Sequence, residues 1–336
     1  KNSKMTYKTI FKGRLEFGSP KSYDKVLKMY QHRVESYYKS DILLNEEEIF
    51  DEASSSLNVP QFITQGSEKS WKNTISLLEY VAQFAVAGRM GAWMTAEGKI
   101  LHHDLVEPKS DRVAVQAFLR GRSLVDEAGR ESEAMEALSK AIEKYERHAQ
   151  AYERRGYVNF LLKNYEDALY DYNKSIDISK NNPEAFYGRG NVKMLLEDYS
   201  SAAEDFAAAI KMSIPLMPIY WKSRRLKAIC HIKMDDAKAA MLDMRLFCKR
   251  AFKPANPNYR HHREMHLRYG KVLLGMDNPQ DALDIFERAL KLENLNNNTV
   301  SDAELLYYRG KAKNACGKPY KADLAKAAEM GYAVPA

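Results

Sequence analysis

The sequence predicts a mostly α-helical protein in which about six helix-turn-helix units follow a small α+β domain. Three observations support this fold class. The chain has 336 residues, a length at which one hydrophobic core gives way to several domains or to stacked repeats. From position 113 onward the sequence resembles itself at a period of about 34 residues, whereas the segment 1–108 does not repeat. Apolar residues make up 45% of the chain, which excludes disorder as its main state.

The segment 1–108 has the pattern of a small α+β domain. Strand-like alternation and helix-like spacing of apolar residues take turns along this segment. In chain order the predicted elements are a strand over 6–17, a helix over 22–40 capped by Ser22, an acidic helical turn over 42–53, a strand over 59–64, an apolar helix over 71–88, and a hairpin of strands 92–95 and 99–106 turned by Gly98. A turn-forming segment, Pro-Lys-Ser-Asp at 108–111, predicts the boundary with the repeat domain, residues 113–333.

The repeats are clearest over Ala151–Ile178 and Ala185–Met212. Small residues and aromatic residues recur there at fixed offsets, as helices in close contact require. The matched pairs, all at the same spacing, are Tyr152 with Phe186, Gly156 with Gly190, Tyr165 with Tyr199, Ala168 with Ala202, and Tyr172 with Phe206. Asn164 and Asp198 are placed in the turn between the two helices. This pattern resembles the tetratricopeptide repeat (TPR) family.

A small residue about 12 positions before an alanine marks six units. Their first helices are centred near Gly121, Gly156, Gly190, Ala228, Gly270 and Gly310. Insertions over 212–218 and 249–263 fall where connecting loops are expected. The last unit is shortened, which is typical of a capping repeat.

The resemblance implies a scaffold whose first helices line a groove that holds a peptide or helix of another protein. By the family's repeat positions, the groove-facing residues would be Arg154, Tyr157, Tyr187, Asn191, Lys222, Arg225, Arg268, Lys271, Tyr307 and Lys311. One subset of the family grips the C-terminal carboxylate of chaperones with Lys and Asn. The first of those positions falls here on Phe118 or Glu153, so a chaperone carboxylate clamp is not predicted.

The net charge of +7 is concentrated in one segment. Residues 222–271 contain 14 basic and 4 acidic residues, a net +10, so the rest of the chain is close to neutral. Besides the groove residues in this segment, the predicted basic surface consists of Arg224, Lys227, Lys249, Arg250, Lys253, Arg260 and Arg263. A surface of this charge favours an acidic protein segment or a nucleic acid as ligand. Because the aromatic residues of this segment are expected mostly in the core, the acidic protein partner is favoured over single-stranded nucleic acid.

The sequence offers few groups for catalysis or metal binding. His102 and His103 are adjacent on a predicted strand and point to opposite faces. His262 and His266 share a helix face, but no third ligand is evident, so a polar helix start is favoured over a metal site. Cys230 is expected in the core. No phosphate-binding glycine loop and no nucleophilic serine motif occur, so neither an enzyme nor a cofactor is predicted.

The predicted function is therefore that of a non-enzymatic scaffold that binds an acidic segment of another protein. No apolar stretch approaches the roughly 18 residues of a membrane span, and a cytoplasmic location is the expectation. Two alternatives remain. The same basic surface would suit a ribosome- or RNA-associated factor, and an enzymatic N-terminal domain would need a pocket around His102, His103 and Asp104.

Overall fold

The computed structural model describes residues 6–295 and 300–333. Contacts divide the chain into two compact units, residues 1–185 and 186–336. The division falls within a helix, Pro183–Leu195, and we describe each unit by itself. That residues 1–108 form a domain of their own stays a prediction.

The N-terminal region is built around an antiparallel sheet. Its elements are β1 (Tyr7–Glu16), α1 (Pro20–Ser36), α2 (Glu46–Ile49), β2 (Phe50–Asp51), β3 (Ser56–Gly66), α3 (Glu68–Ala82), β4 (Ala87–Ala96) and β5 (Lys99–Val106). The strand order is β2-β3-β1-β4-β5. The predicted α+β region is thus confirmed. Its hairpin is also confirmed, because Glu97 and Gly98 both have positive φ (50° and 76°), as a two-residue hairpin turn requires.

Helices α1 and α3 share one hydrophobic core with the sheet. Phe11 and Leu15 of β1 are fully buried in a cluster that also contains Leu77 and Leu78 of α3. The hydroxyl of Tyr30 on α1 donates a hydrogen bond to the Leu44 carbonyl (2.7 Å), so this buried phenol keeps a partner inside the core.

Three boundaries differ from the sequence prediction. Helix α1 is capped by Ser19 and not by Ser22, because the Ser19 hydroxyl accepts the Ser22 amide (3.2 Å). The acidic segment is helical only in α2, and β2 then pairs with β3. Helix α3 ends at Ala82, well before Gly88. Gly88 pairs with Leu15 in the sheet, and a Cβ there would lie 2.2 Å from the Arg14 carbonyl oxygen.

Six helix pairs follow among the described residues, which confirms the predicted repeats. Their bounds are α4 (Val113–Val125) with α5 (Glu131–Lys144), α6 (Ala149–Leu161) with α7 (Tyr165–Ile178), α8 (Pro183–Leu195) with α9 (Tyr199–Lys211), α10 (Pro218–Lys233) with α11 (Ala237–Lys249), α12 (His262–Gly275) with α13 (Pro279–Lys291), and α14 (Asp302–Ala315) with α15 (Lys321–Glu329). The longer insertion between α11 and α12 is mostly irregular and ends in a 3-10 turn, Tyr259–His261.

Glycines on the first helices allow close contact with aromatic rings of the second helices. A Cβ at Gly190 would lie 2.9 Å from the Phe206 ring, and one at Gly270 would lie 2.4 Å from the Phe286 ring. Both rings are fully buried. The small residues that mark each unit in the sequence therefore mark the points where the paired helices touch.

The turns inside the helix pairs share one geometry. Lys163, Glu197, Asp235 and Asp277 all have φ near +60°. The residue after each of them donates its amide to a carbonyl five residues earlier, at 2.8–2.9 Å, as in a Schellman helix end. Asn164 and Asp198 lie in these turns, as predicted.

Candidate partner-binding surface

The basic segment contains fewer available charges than its sequence indicates. Arg224 and Lys227 on α10 both bind the buried carboxylate of Asp243 on α11, Lys227 at 3.0 Å. Arg224 also donates to the Tyr220 hydroxyl (2.7 Å). These two cations therefore serve the contact between the paired helices, and little of their charge is left for a partner.

The same arrangement recurs in neighbouring repeats. In the second repeat Arg155 binds Asp171 at 2.7 and 2.9 Å. In the third, Arg189 binds Asp205 at 2.6 and 2.9 Å, and Lys193 adds a contact at 2.8 Å. Each carboxylate is buried, so the cation on the first helix compensates a charge that folding removes from water.

Arg263 is also structural. It is 2% exposed, donates to the Leu292 carbonyl (3.0 Å), and forms an ion pair with Asp302 at the start of α14. This side chain connects the start of α12 to the end of α13 and the start of α14. Its charge does not reach a surface where a partner could bind.

The predicted groove residues of the fifth and sixth repeats are mixed in character. Lys271 on α12 binds Glu304 on α14 at 2.7 Å and lies 4.2 Å from the centre of the Tyr308 ring. Tyr307 is 8% exposed and packs on Tyr332, with ring centres 5.0 Å apart. Lys311 is exposed beside the Tyr307 ring.

Arg225 on α10 differs from these paired cations. It makes no hydrogen bond or ion pair with any described residue, and its Nε is buried without a hydrogen-bond partner. Burial lowers the pKa of Arg225, which means that its surroundings do not compensate its charge. A partly buried guanidinium without a bound anion is costly, and this is the property expected of a ligand contact.

Two further arginines act electrostatically on Arg225. Arg260 and Arg268 both disfavour its charged form, whereas the one carboxylate in the group, Glu264, favours it. Glu264 is bound by Arg268 at 2.8 and 2.9 Å and lies 3.6 Å from His261. These contacts lower the pKa of Glu264 to about 2. The group therefore consists of Arg225 and three charged residues that act on it, two arginines and one carboxylate, and we call Arg225, Arg260, Arg268 and Glu264 the arginine cluster.

Other predicted basic residues lie near the insertion or beside the cluster. Lys249, Arg250 and Lys253 are exposed, and the Arg250 guanidinium lies 5.7 Å from the centre of the Trp221 ring. Lys222 is partly buried on α10. Tyr187 on α8 adds to the electrostatic surroundings of Arg225, and Asn191 donates a helix-internal hydrogen bond to the Tyr187 carbonyl (2.8 Å).

The second repeat meets the chain's own sheet. Arg89 on β4 forms an ion pair with Glu184 on α8 and also favours the charged form of Glu153 on α6. Glu153 is 8% exposed, and burial raises its pKa. Arg154 lies 3.4 Å from Glu153, and Tyr157 is 37% exposed. Arg154 and Tyr157, the first predicted groove residues, therefore lie next to an intramolecular contact.

Histidines and cysteines do not converge on a reactive centre. On β5, His102 packs near Trp71 and His103 stacks on Trp93. Trp71 belongs to the core that α3 shares with the sheet, whereas Trp93 does not, so the two histidines point to opposite faces as predicted. Within residues 6–295 and 300–333, no three metal-ligating side chains come together.

Helix α12 begins at His262, so the predicted helix start is confirmed, but both histidines are buried. His262 is 9% exposed between the Phe247 and Phe252 rings, and His266 is 2% exposed with its pKa lowered to about 4 by burial. His262 is buried because the preceding insertion folds Phe252 against this helix end. Cys230 is buried, as predicted, and burial raises its pKa to about 11.

The sequence did not predict that the carboxylates Asp243, Asp302 and Glu304 bind the basic residues of this segment. A signal existed for Asp243, because an aspartate follows the packing alanine by three residues in the second, third and fourth repeats. Asp302 contacts Arg263, and Glu304 contacts Lys271, in both cases from a later helix. No sequence spacing predicts those contacts. In the part of the chain that is described, no helix is both long and apolar enough to cross a membrane.

Comparison with known proteins agrees with this geometry. Residues 159–197 match the family model described as TPR repeat. The helical region is a TPR-like repeat array. No curated protein matches the sequence. Among solved structures, PilF of Pseudomonas aeruginosa is similar to this TPR-like chain with a TM-score of 0.50 and 14% identity, covering 66% of this chain and 90% of PilF, which supports the fold alone.

Two other structural neighbours are described as TPR proteins. YrrB, a TPR protein with an unusual peptide-binding site, matches 58% of this chain and 89% of its own at 21% identity and a TM-score of 0.46. The TPR2B domain of yeast Sti1, solved with an Hsp70 peptide, matches 36% of this chain and 98% of its own at 20% identity and a TM-score of 0.34.

Proposed function

We propose that this chain is a non-enzymatic protein-interaction scaffold that binds an acidic segment of another protein at the arginine cluster. The observation that carries the proposal is Arg225, whose guanidinium is partly buried and has no hydrogen-bond partner among the described residues. A carboxylate of the partner would supply the missing acceptor. Charge-assisted hydrogen bonds of this kind contribute about 1.5–3 kcal/mol each.

The wider basic surface supports the same ligand. Three exposed cations lie on the segment that leads toward Arg260: Lys249 at the end of α11, and Arg250 and Lys253 on the loop that follows. Such exposed charges raise the association rate of an acidic segment, while a partly buried arginine slows its dissociation. Arg224, Lys227 and Arg263 are left out of the proposed site, because they serve the fold.

The proposal is tested by fluorescence anisotropy with a labelled glutamate-rich peptide. We expect Arg225→Gln to weaken binding at least tenfold, because one tenfold step corresponds to about 1.4 kcal/mol. The matched control is Arg245→Gln, which removes the same charge from an exposed position on α11. We expect the control to change affinity less than twofold.

Two outcomes would contradict the proposal. Equal losses in the two variants would mean that peptide binding follows net charge and not the arginine cluster. Tighter binding of a single-stranded RNA, with a steep fall in affinity as salt rises, would favour the RNA-associated alternative. Circular dichroism of both variants checks that the helices are intact.

A further inference from the structure

Strand β5 leaves one edge of the sheet unpaired. Among the described residues it hydrogen-bonds only to β4. It is eight residues long and contains no proline. At the other end of the sheet, β2 pairs only with the start of β3, and the rest of β3 carries Pro60, a residue that lacks the amide needed to pair with another strand. An open edge of this kind is a template for a further strand.

The side chains of β5 are unusually open for a strand. Ile100, Leu101 and Leu105 are 46–48% exposed, and His103 is exposed as well. Leu101 is the extra residue of a β-bulge, since Met94 pairs with His102 and Thr95 with Ile100. The free edge from Leu101 to Leu105 therefore consists of the bulge residue and four residues in regular register with β4.

This five-residue segment, Leu-His-His-Asp-Leu, complements itself. When two copies lie antiparallel with His103 opposite its own counterpart, each Leu101 faces Leu105 of the other copy. Each His102 then faces Asp104 of the other copy. Residues directly opposite in an antiparallel pair lie about 4.5–5.5 Å apart at Cβ, close enough for the leucines to pack and for the histidine to bind the carboxylate.

The two faces of the strand keep these contacts apart. His102 lies on the face covered by α3, where it packs near Trp71. His103 lies on the other face, stacked on Trp93 with ring centres 5.1 Å apart and an angle of 10°. Gly91 leaves room for the Trp93 ring, because a Cβ there would lie 2.5 Å from it. His103 is thus held in place at the centre of the segment.

We propose that β5 is a homodimer contact, in which two copies of this chain join their sheets through antiparallel pairing of Leu101–Leu105 about His103. The occupant is a second copy because the leucine pair and the histidine–aspartate pair both form when the segment meets itself in this register. This contact is separate from the arginine cluster, and its failure would leave the proposed function intact. The paired length is short, so the dimer is reversible and concentration-dependent.

Sedimentation velocity over a range of protein concentrations gives the first test. We expect a monomer–dimer equilibrium that Leu105→Lys weakens at least tenfold. Ile63→Lys is the matched control, because Ile63 is equally exposed (49%) but lies on β3. We expect it to leave the equilibrium unchanged. A protein that stays monomeric at all concentrations, or a dimer insensitive to Leu105→Lys, would overturn the proposal.

A charge exchange tests the register. His102→Glu alone places a glutamate opposite Asp104 of the other copy and should weaken the dimer. His102→Glu combined with Asp104→Lys places opposite charges face to face again, and we expect it to restore association. His103→Cys should give a disulfide-linked dimer under a mild oxidant, whereas Gln65→Cys on β3 should not. Failure of both the rescue and the cross-link would exclude this register.

Discussion

In the described part of the chain, four turns between paired helices contain a residue other than glycine that adopts a left-handed backbone. Glu197 is one of them, with φ of 62°. This conformation costs roughly 1–2 kcal/mol for a residue with a Cβ, and glycine avoids the cost while losing about 0.5–1 kcal/mol of chain entropy. We expect Glu197→Gly to stabilise the protein by about 0.5 kcal/mol in thermal or urea denaturation. Gly317, with φ of 69° in the turn of the last helix pair, is the matched reverse case. Gly317→Ala should destabilise by about 1 kcal/mol, and a stabilising effect there would contradict the argument.

Glu264 makes the stability of the arginine cluster depend on pH. Its pKa falls from 4.5 to about 2, first through His261 and then through Arg268. A carboxylate with a lowered pKa stabilises the fold above the unfolded value, and this contribution is lost as pH falls toward the folded value. Because water reaches part of this side chain and screens its contacts, we expect Glu264→Gln to be less stable than the parent protein by about 1–2 kcal/mol above its unfolded pKa. The difference should disappear as pH falls from 4.5 to about 2. A difference that stays constant across this range would show that the glutamate acts through packing alone.

The contacts of single residues explain why the charge pattern predicted the basic segment but not which of its cations are available to a partner. The sequence shows that Arg224 and Lys227 are basic, but it does not show that both bind Asp243. The unpartnered state of Arg225, one residue after Arg224, depends on which way each side chain leaves α10. Residues three and four apart share a helix face, whereas neighbours diverge. Composition therefore predicted the basic segment, and only the structure separates structural cations from available ones.

At the scale of helix pairs, the glycine pattern was the most reliable signal in the chain. Gly270 lies where α12 contacts Phe286 of α13, and a Cβ there would come within 2.4 Å of the ring. We expect Gly270→Ala to destabilise the protein by about 1–3 kcal/mol, because the buried ring has no room to move. Gly275 lies at the end of the same helix with no atom within 4 Å of a Cβ. Gly275→Ala should be neutral or stabilising by up to about 1 kcal/mol in the same denaturation experiment. Similar losses in both variants would mean that the close contact is not what selects glycine at position 270.

Elements outside the repeats were predicted less well, and the reasons are local. Both Ser19 and Ser22 suit a helix cap; Ser22 was predicted, and the structure has Ser19. The acidic segment has helical spacing, but Phe50 stacks at 6.3 Å from Phe17 and pairs with β3, so tertiary contacts end α2 after one turn. Periodicity predicts which elements exist, and packing decides where they stop.

At the scale of the first compact unit, the sheet and the early repeats are joined by charges that a sequence cannot pair. Arg89 comes from β4, and Glu153 and Glu184 come from two repeat helices. The Arg89 and Glu184 side chains are 32% and 20% exposed, so water screens them only in part. Removing Arg89 would leave two carboxylates close to one another with little compensation, which destabilises more than losing an exposed ion pair.

A double-mutant cycle measures this contact between the sheet and the repeats. We expect Arg89→Gln to destabilise the protein by about 3 kcal/mol and Glu184→Gln by less, because Glu153 remains as a partner for Arg89. The coupling between the two substitutions should be about 1–3 kcal/mol. Lys72 and Glu68 on α3 form an exposed ion pair at 2.6 Å and provide the control cycle, whose coupling should not rise above the error of the measurement. If both cycles gave the same small coupling, the Arg89 pair would contribute no more than a surface ion pair, and other contacts, such as the hydrogen bond from Tyr145 to Glu16 of β1 (3.3 Å), would hold the sheet to the repeats.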